Sequence, residues 1–154
     1  MNLGKILSNI IDRKSESYQL QYGRQYDGFF TNLKEIPDIS SIKVDQILLI
    51  TDQSPYSLIS IAYMIRLAEV LGKETKVYAI TEIKHTRTIK EVCKENSIFL
   101  KEIKESINLT VDDVHEFVDK NSIGLVIISY AHKLKQAILD RISVTVLVTS
   151  LKNL

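Results

Sequence analysis

Two short polar clusters, each following an apolar run, hold the residue types that could do chemistry. Asp52 and Ser54 come just after the apolar residues 47–50, and Ser129 ends the run GLVIIS with His132 three residues beyond. A carboxylate, an imidazole and a hydroxyl are the parts of a general-base relay, with a serine as nucleophile. The sequence lacks the glycine turn that would form an oxyanion site and has no nucleophile elbow, so no enzyme activity is expected. His132 then reads as a loop residue facing solvent, and Asp52 as a carboxylate that stabilises a turn and a helix N-terminus.

A second candidate is Asp112, His115, Glu116 and Asp119, which fall on one face of a helical pattern at spacing compatible with a metal. They oppose the apolar stripe Val111, Val114, Phe117 and Val118, and no second His or Cys completes a ligand set, so no metal site is expected. Lys84, Arg87, Lys90, Lys94, Lys101 and Lys104 make a cationic stretch, partly balanced by Glu82, Glu91, Glu95 and Glu102. Mixed charge of this kind suits a solvated surface. RNA or a ribosome-like polyanion is the alternative partner, since local clusters decide phosphate contacts.

The elements that position these residues follow from hydrophobic periodicity. The organising stretch is 47–72, ILLITDQSPYSLISIAYMIRLAEVLG: an unbroken apolar run suited to a strand covered on both faces, a turn, and a long helix. Ser54 is placed to cap that helix, Pro55 to occupy its first position, and Gly72 to end it in a left-handed conformation. Apolar residues occupy most of the helix circumference, leaving Ser57, Ser60, Tyr63, Arg66 and Glu69 for water. Such a helix needs cover from another segment or from a partner chain. Further strands are expected over 75–80, 98–103, 124–129 and 144–149, with helices over 88–96, from Thr110 onward, and over 133–141. Thr110 and Asp113 form an approximate capping box. Strands alternating with helices imply a parallel sheet.

Before this pattern, residues 2–11 have helical spacing, and Tyr18, Leu20 and Tyr22 alternate ahead of Gly23 and Arg24. Five of the eleven aromatic residues lie between Tyr18 and Phe30. They are expected to pack over the long helix, with base stacking or partner contact as the other role open to them. At 154 residues with 45% hydrophobic content, one core is sufficient; a formal net charge of +1 gives no global attraction to nucleic acid or membrane. The single Cys93 fits a reducing compartment, and no apolar run is long enough for a signal peptide or membrane span, so a cytoplasmic location is expected.

The order of elements, with TDQS at 51–54 after the first strand, LAEVLGKETKVYAITE, NSIGLVIISY and VTVLVTS, resembles the universal stress protein family over about residues 43–149. The resemblance implies a Rossmann-like α/β fold, an open five-stranded parallel sheet in the order 3-2-1-4-5 with helices on both faces, and homodimers that often pair the last strands. It divides the chain into an N-terminal extension, 1–43, and a universal stress protein-like domain, 44–154. In that strand order Asp52, Ser54, Ser129 and His132 converge at the carboxyl ends of the strands, where open α/β sheets bind ligands. Asp52 matches the family position that contacts the adenosine part of ATP, and Ile50 and Ile80 sit where the family lines the adenine pocket. ATP-binding members carry G-x2-G-x9-G-(S/T) after the fourth strand, whereas Ser129, Tyr130, Ala131 and His132 follow it here and no glycine occurs after Gly124. ATP binding is therefore expected to be lost, leaving a vestigial crevice, with weak binding of a nucleoside or another small ligand as the alternative, and a regulatory module that works through an unidentified protein partner and a homodimer. Val146, Leu147 and Val148, on the presumed edge strand, are expected at the dimer interface.

Overall fold

The computed structural model describes residues 16–22, 25–30 and 44–151. The helix expected over 2–11 lies outside these residues. The chain forms β1 (Glu16–Tyr22), β2 (Gln25–Phe30), β3 (Gln46–Ile50), α1 (Ser57–Leu71), β4 (Lys76–Thr81), α2 (Ile83–Glu95), β5 (Phe99–Glu105), α3 (Val111–Lys120), β6 (Leu125–Ser129), α4 (Lys135–Arg141) and β7 (Thr145–Leu151).

Five strands, β3 to β7, run parallel in the order β5-β4-β3-β6-β7, the 3-2-1-4-5 arrangement expected from the sequence. The period-2 alternation of side chains sorts each strand between two cores. Ile47, Leu49, Val77, Ala79, Leu125, Ile127 and Leu147 face α1 and α2, whereas Leu48, Ile50, Tyr78, Ile80, Val126, Ile128, Val146 and Val148 face α3 and α4. Each fully buried aliphatic side chain contributes roughly 1.5–3 kcal/mol, so this double-sided burial dominates the stability. Inside the second core, the Tyr78 ring meets Phe117 edge-on at 5.8 Å, and its hydroxyl donates to Gln46 Oε1 at 2.8 Å.

The sheet does not end at β7. β1 pairs antiparallel with β7 from Glu16↔Leu151 to Gln21↔Val146, and β2 pairs antiparallel with β1, making a seven-stranded mixed sheet in the order β2-β1-β7-β6-β3-β4-β5. The presumed edge strand is therefore an inner one. Its backbone is bonded to β6 on one side and β1 on the other, and Val146, Leu147 and Val148 are buried between the helical layers. A contact between copies at these three residues would require β1 to be displaced. Tyr18, Tyr22, Tyr26, Phe29 and Phe30 lie on β1 and β2 of this sheet; the contacts expected of their side chains lie outside what is described.

The long helix departs from its expected orientation. Ser57, Ser60 and Tyr63, expected to face water, are buried, while Val70 is 57% exposed. Ser60 Oγ lies 2.7 Å from Thr149 Oγ1 of β7, a bond that satisfies both hydroxyls inside the core. The helix also starts later than expected. Ser57, Leu58 and Ile59 bond three residues back to the carbonyls of Ser54, Pro55 and Tyr56, so a tight turn precedes the first α-helical residue. Its end is set by Gly72, at φ 104° and ψ 178°, whose N–H bonds to the Ala68 carbonyl. That is not the left-handed helical conformation expected but a more extended one, essentially restricted to glycine.

Candidate functional site

The polar residues singled out in the sequence lie at or just past the carboxyl ends of β3, β4 and β6. Asp52 follows β3 by two residues and is held there by its own turn. Its Oδ1 accepts from the Ser54 N–H at 2.8 Å and from the Ser57 hydroxyl at 2.9 Å, and the Ser57 oxygen accepts in turn from the Asp52 N–H at 3.1 Å. Ser54 continues the same network by accepting from the Tyr56 N–H at 3.1 Å. An Asx-type turn of this kind is what Asp and Ser side chains favour between a strand and a helix.

Ile50 and Ile80 are 0% and 2% exposed and belong to the core beneath α3 and α4, so they present no surface to a ligand in this conformation. Above them, Thr51 and Thr81 join through a short bond between their hydroxyls, and the Thr51 N–H bonds to the Ile80 carbonyl at 3.0 Å. The carboxyl ends of β3 and β4 are thereby closed by threonines.

After β6 the chain folds back on itself. The Tyr130 N–H donates to the Thr149 carbonyl (2.7 Å), Ala131 N–H to Ser129 Oγ (3.2 Å), His132 N–H to the Ser129 carbonyl (3.0 Å), Leu134 N–H to His132 Nδ1 (3.0 Å) and Lys135 N–H to the His132 carbonyl (3.0 Å). The Lys135 ammonium sits 4.3 Å from the centre of the Tyr130 ring, a cation–π contact at the loop surface. His132 is buried, contrary to the solvent-facing loop position expected for it. Burial pulls the pKa of its imidazole below the usual histidine value; the nearby carboxylates of Asp52 and then Glu82 oppose this, and Lys133 adds slightly to the lowering. Asp52 and Glu82 thus both lie within electrostatic reach of His132, at the ends of neighbouring strands.

Sequence reasoning missed two members of this cluster. Ser57 was assigned to water, though a position five residues after Asp52 is where a first-turn hydroxyl meets an Asx carboxylate. His85 is buried, with Nε2 3.1 Å from the Ser54 carbonyl, tying α2 to the β3–α1 turn. Its spacing to Ile89 and Val92 on the buried stripe was the available signal. Elsewhere, α3 carries the expected capping box, Thr110 Oγ1 accepting from the Asp113 N–H and Asp113 Oδ2 from the Thr110 N–H. The Thr110 N–H, and after it the Thr110 hydroxyl, hold the Asp113 carboxyl below its usual value. Asp112 pairs with Arg141 of α4, and His115 lies 3.4 Å from Asp119 on the exposed face.

What this arrangement can do is limited by how much of it is already used. The strand ends hold two carboxylates, two imidazoles and several hydroxyls, but their donors and acceptors are largely bonded to one another. The fold itself has counterparts. No family model matches the chain and no curated protein matches it. Among solved structures, it is similar to a protein of the universal stress protein family from Burkholderia pseudomallei, at 9% identity and a TM-score of 0.57, covering 68% of this chain and 95% of that one. A universal stress protein in complex with cAMP is similar at 17% identity and a TM-score of 0.45, over 68% and 95% of the two chains. The five parallel strands and their flanking helices therefore have the universal stress protein fold, a Rossmann-like α/β architecture. Among the described residues, no helix is long and apolar enough to cross a membrane.

Proposed function

We propose that this chain is a non-enzymatic, cytoplasmic regulatory module of universal stress protein-like fold, one that does not hold the phosphates of ATP and acts through protein contacts. The observation that carries this reading is the bonding of the segment after β6. Five of its backbone N–H groups, at Tyr130, Ala131, His132, Leu134 and Lys135, are spent on acceptors within the protein. A triphosphate cradle needs such groups turned together toward the anion, with glycines that allow positive φ and close approach. The Asp52 carboxylate is likewise engaged by Ser54 and Ser57, and the isoleucines below are covered. The extension before Val44 seals the β7 edge through β1, so self-association in this reading uses another surface or displaces that strand. Calorimetry with ATP and magnesium tests the proposal. No heat of binding is expected at micromolar protein, and a micromolar dissociation constant would overturn it.

A second reading rests on α2. Lys84, Arg87, Lys90 and Lys94 are all exposed and occupy the helical arc opposite the buried His85, Ile89, Val92 and Cys93; Glu91 offsets one of them by bonding Arg87 Nε at 2.8 Å. Such an arc fits the phosphate backbone of RNA, the partner class that local cations favour over net charge. Neutralising three to four phosphates of a single strand predicts a log–log salt slope of about −2 to −3. Binding to total RNA with no salt dependence, or none at all, would remove this reading.

A further inference from the structure

We propose that His132 is an acid-sensitive latch: protonating its Nδ1 removes the acceptor that holds the Leu134 N–H and opens the β6–α4 loop at the strand ends. This goes beyond the functional reading above and stands whether or not any nucleotide binds.

The geometry fixes the protonation state of the closed form. A backbone N–H can only donate, so the 3.0 Å contact from Leu134 N requires Nδ1 to carry a lone pair, and the neutral ring keeps its proton on Nε2. Once Nδ1 is protonated, two donors face each other and the contact becomes repulsive. The same turn is closed by two bonds through the His132 backbone, its N–H donating to the Ser129 carbonyl and its carbonyl accepting from the Lys135 N–H, so the residue that titrates is also one that anchors the turn.

The second buried histidine of the cluster behaves oppositely. His85 Nε2 faces the Ser54 carbonyl, which only accepts, so Nε2 donates and that bond survives protonation of the ring. Acid therefore releases one loop and leaves the β3–α1 turn fixed. The charged groups that His132 meets are Asp52 from the β3–α1 turn, Glu82 from the start of α2, and Lys133 on its own loop. An imidazolium freed from Leu134 has two carboxylates to turn toward. Burial favours the neutral ring, so it takes up its proton at a lower pH than an ordinary histidine does, which keeps the latch closed at neutral pH.

The test is amide exchange and ring NMR on the full chain, from about pH 8 downward until the His132 ring has titrated, which burial places below the ordinary histidine value. In the wild type, protection of the Leu134 amide should fall as the His132 ring titrates, by about tenfold per pH unit on the approach to its pKa. His132→Asn places a side-chain oxygen where Nδ1 stood and cannot titrate, so its Leu134 protection should stay high throughout. His132→Ala should be unprotected at Leu134 at every pH; should that variant fail to fold, the wild type and His132→Asn decide alone. Protection retained through the titration of His132, or an equal acid response in His132→Asn, would overturn the proposal.

Discussion

Replacing Asp52 by alanine separates a structural carboxylate from a ligand-binding one. Its Oδ1 is the acceptor for both the Ser54 N–H and the Ser57 hydroxyl, at 2.8 and 2.9 Å. Ser57 is fully buried, so in Asp52→Ala its hydroxyl proton loses the acceptor where water cannot replace it. Ser54 is only partly buried and recovers a water. The cost is then that of one buried unsatisfied donor, about 1–3 kcal/mol, with Ser54 adding little. At about 2 kcal/mol the folded-to-unfolded ratio drops about 30-fold, and the melting temperature falls by about 4–8 °C for a chain of this size. Asp52→Asn keeps an oxygen at the Oδ1 position and loses only the charge, so it should retain most of the stability. Urea unfolding followed by circular dichroism, with all three proteins compared at equal m-value, reads the difference. An alanine variant within about 0.5 kcal/mol of wild type, the scatter of ordinary surface substitutions, would refute the reasoning. An asparagine variant as unstable as alanine would refute it differently, by showing that the charge and not the acceptor matters.

Gly72→Ala should cost about 1–3 kcal/mol, since an added Cβ meets nothing within 4 Å and the penalty is purely that of the backbone conformation at φ 104° and ψ 178°; Gly72→Ser should cost the same, and urea midpoints check both. Because the folded state lowers the pKa of His132 while the unfolded histidine binds a proton near about pH 6.5, its contribution is fully present above that pH and is lost as the pH falls toward the folded pKa. That acid loss should be absent from denaturation midpoints of His132→Asn. Burial raises the Cys93 thiol to about 12, so a disulfide reagent should label it at neutral pH only under denaturing conditions. Deleting residues 1–30 removes β1 and β2 and leaves the β7 edge unpaired, so light scattering should show a larger species, relative to chain mass, than the full chain forms at the same concentration.

Much of this architecture was legible in the sequence because it depends on local periodicity. The apolar runs at 47–50 and 124–129, the stripe Val114, Phe117 and Val118, and the inward set Ile89, Val92 and Cys93 state which residues must leave water, and all but Gly124 are buried. Short-range chemistry was legible as well. Thr110 and Asp113 are three residues apart and close their capping box without help from the rest of the fold.

What the sequence by itself determined, then, was the set of elements and their apolar faces; the tertiary structure decided which surfaces meet. The pairing of β1 with β7 is made by backbone N–H and C=O groups, which every residue type supplies alike, so nothing in Val146, Leu147 or Val148 distinguishes a strand paired within the chain from one open to another copy. Nor does periodicity say which side of a mostly apolar helix turns inward. Ser60 is buried because Thr149, 89 residues later, supplies its hydrogen-bond partner. His132 is an acceptor for the same reason: a histidine's role is set by the one atom opposite each ring nitrogen, and only folding places the Leu134 N–H there.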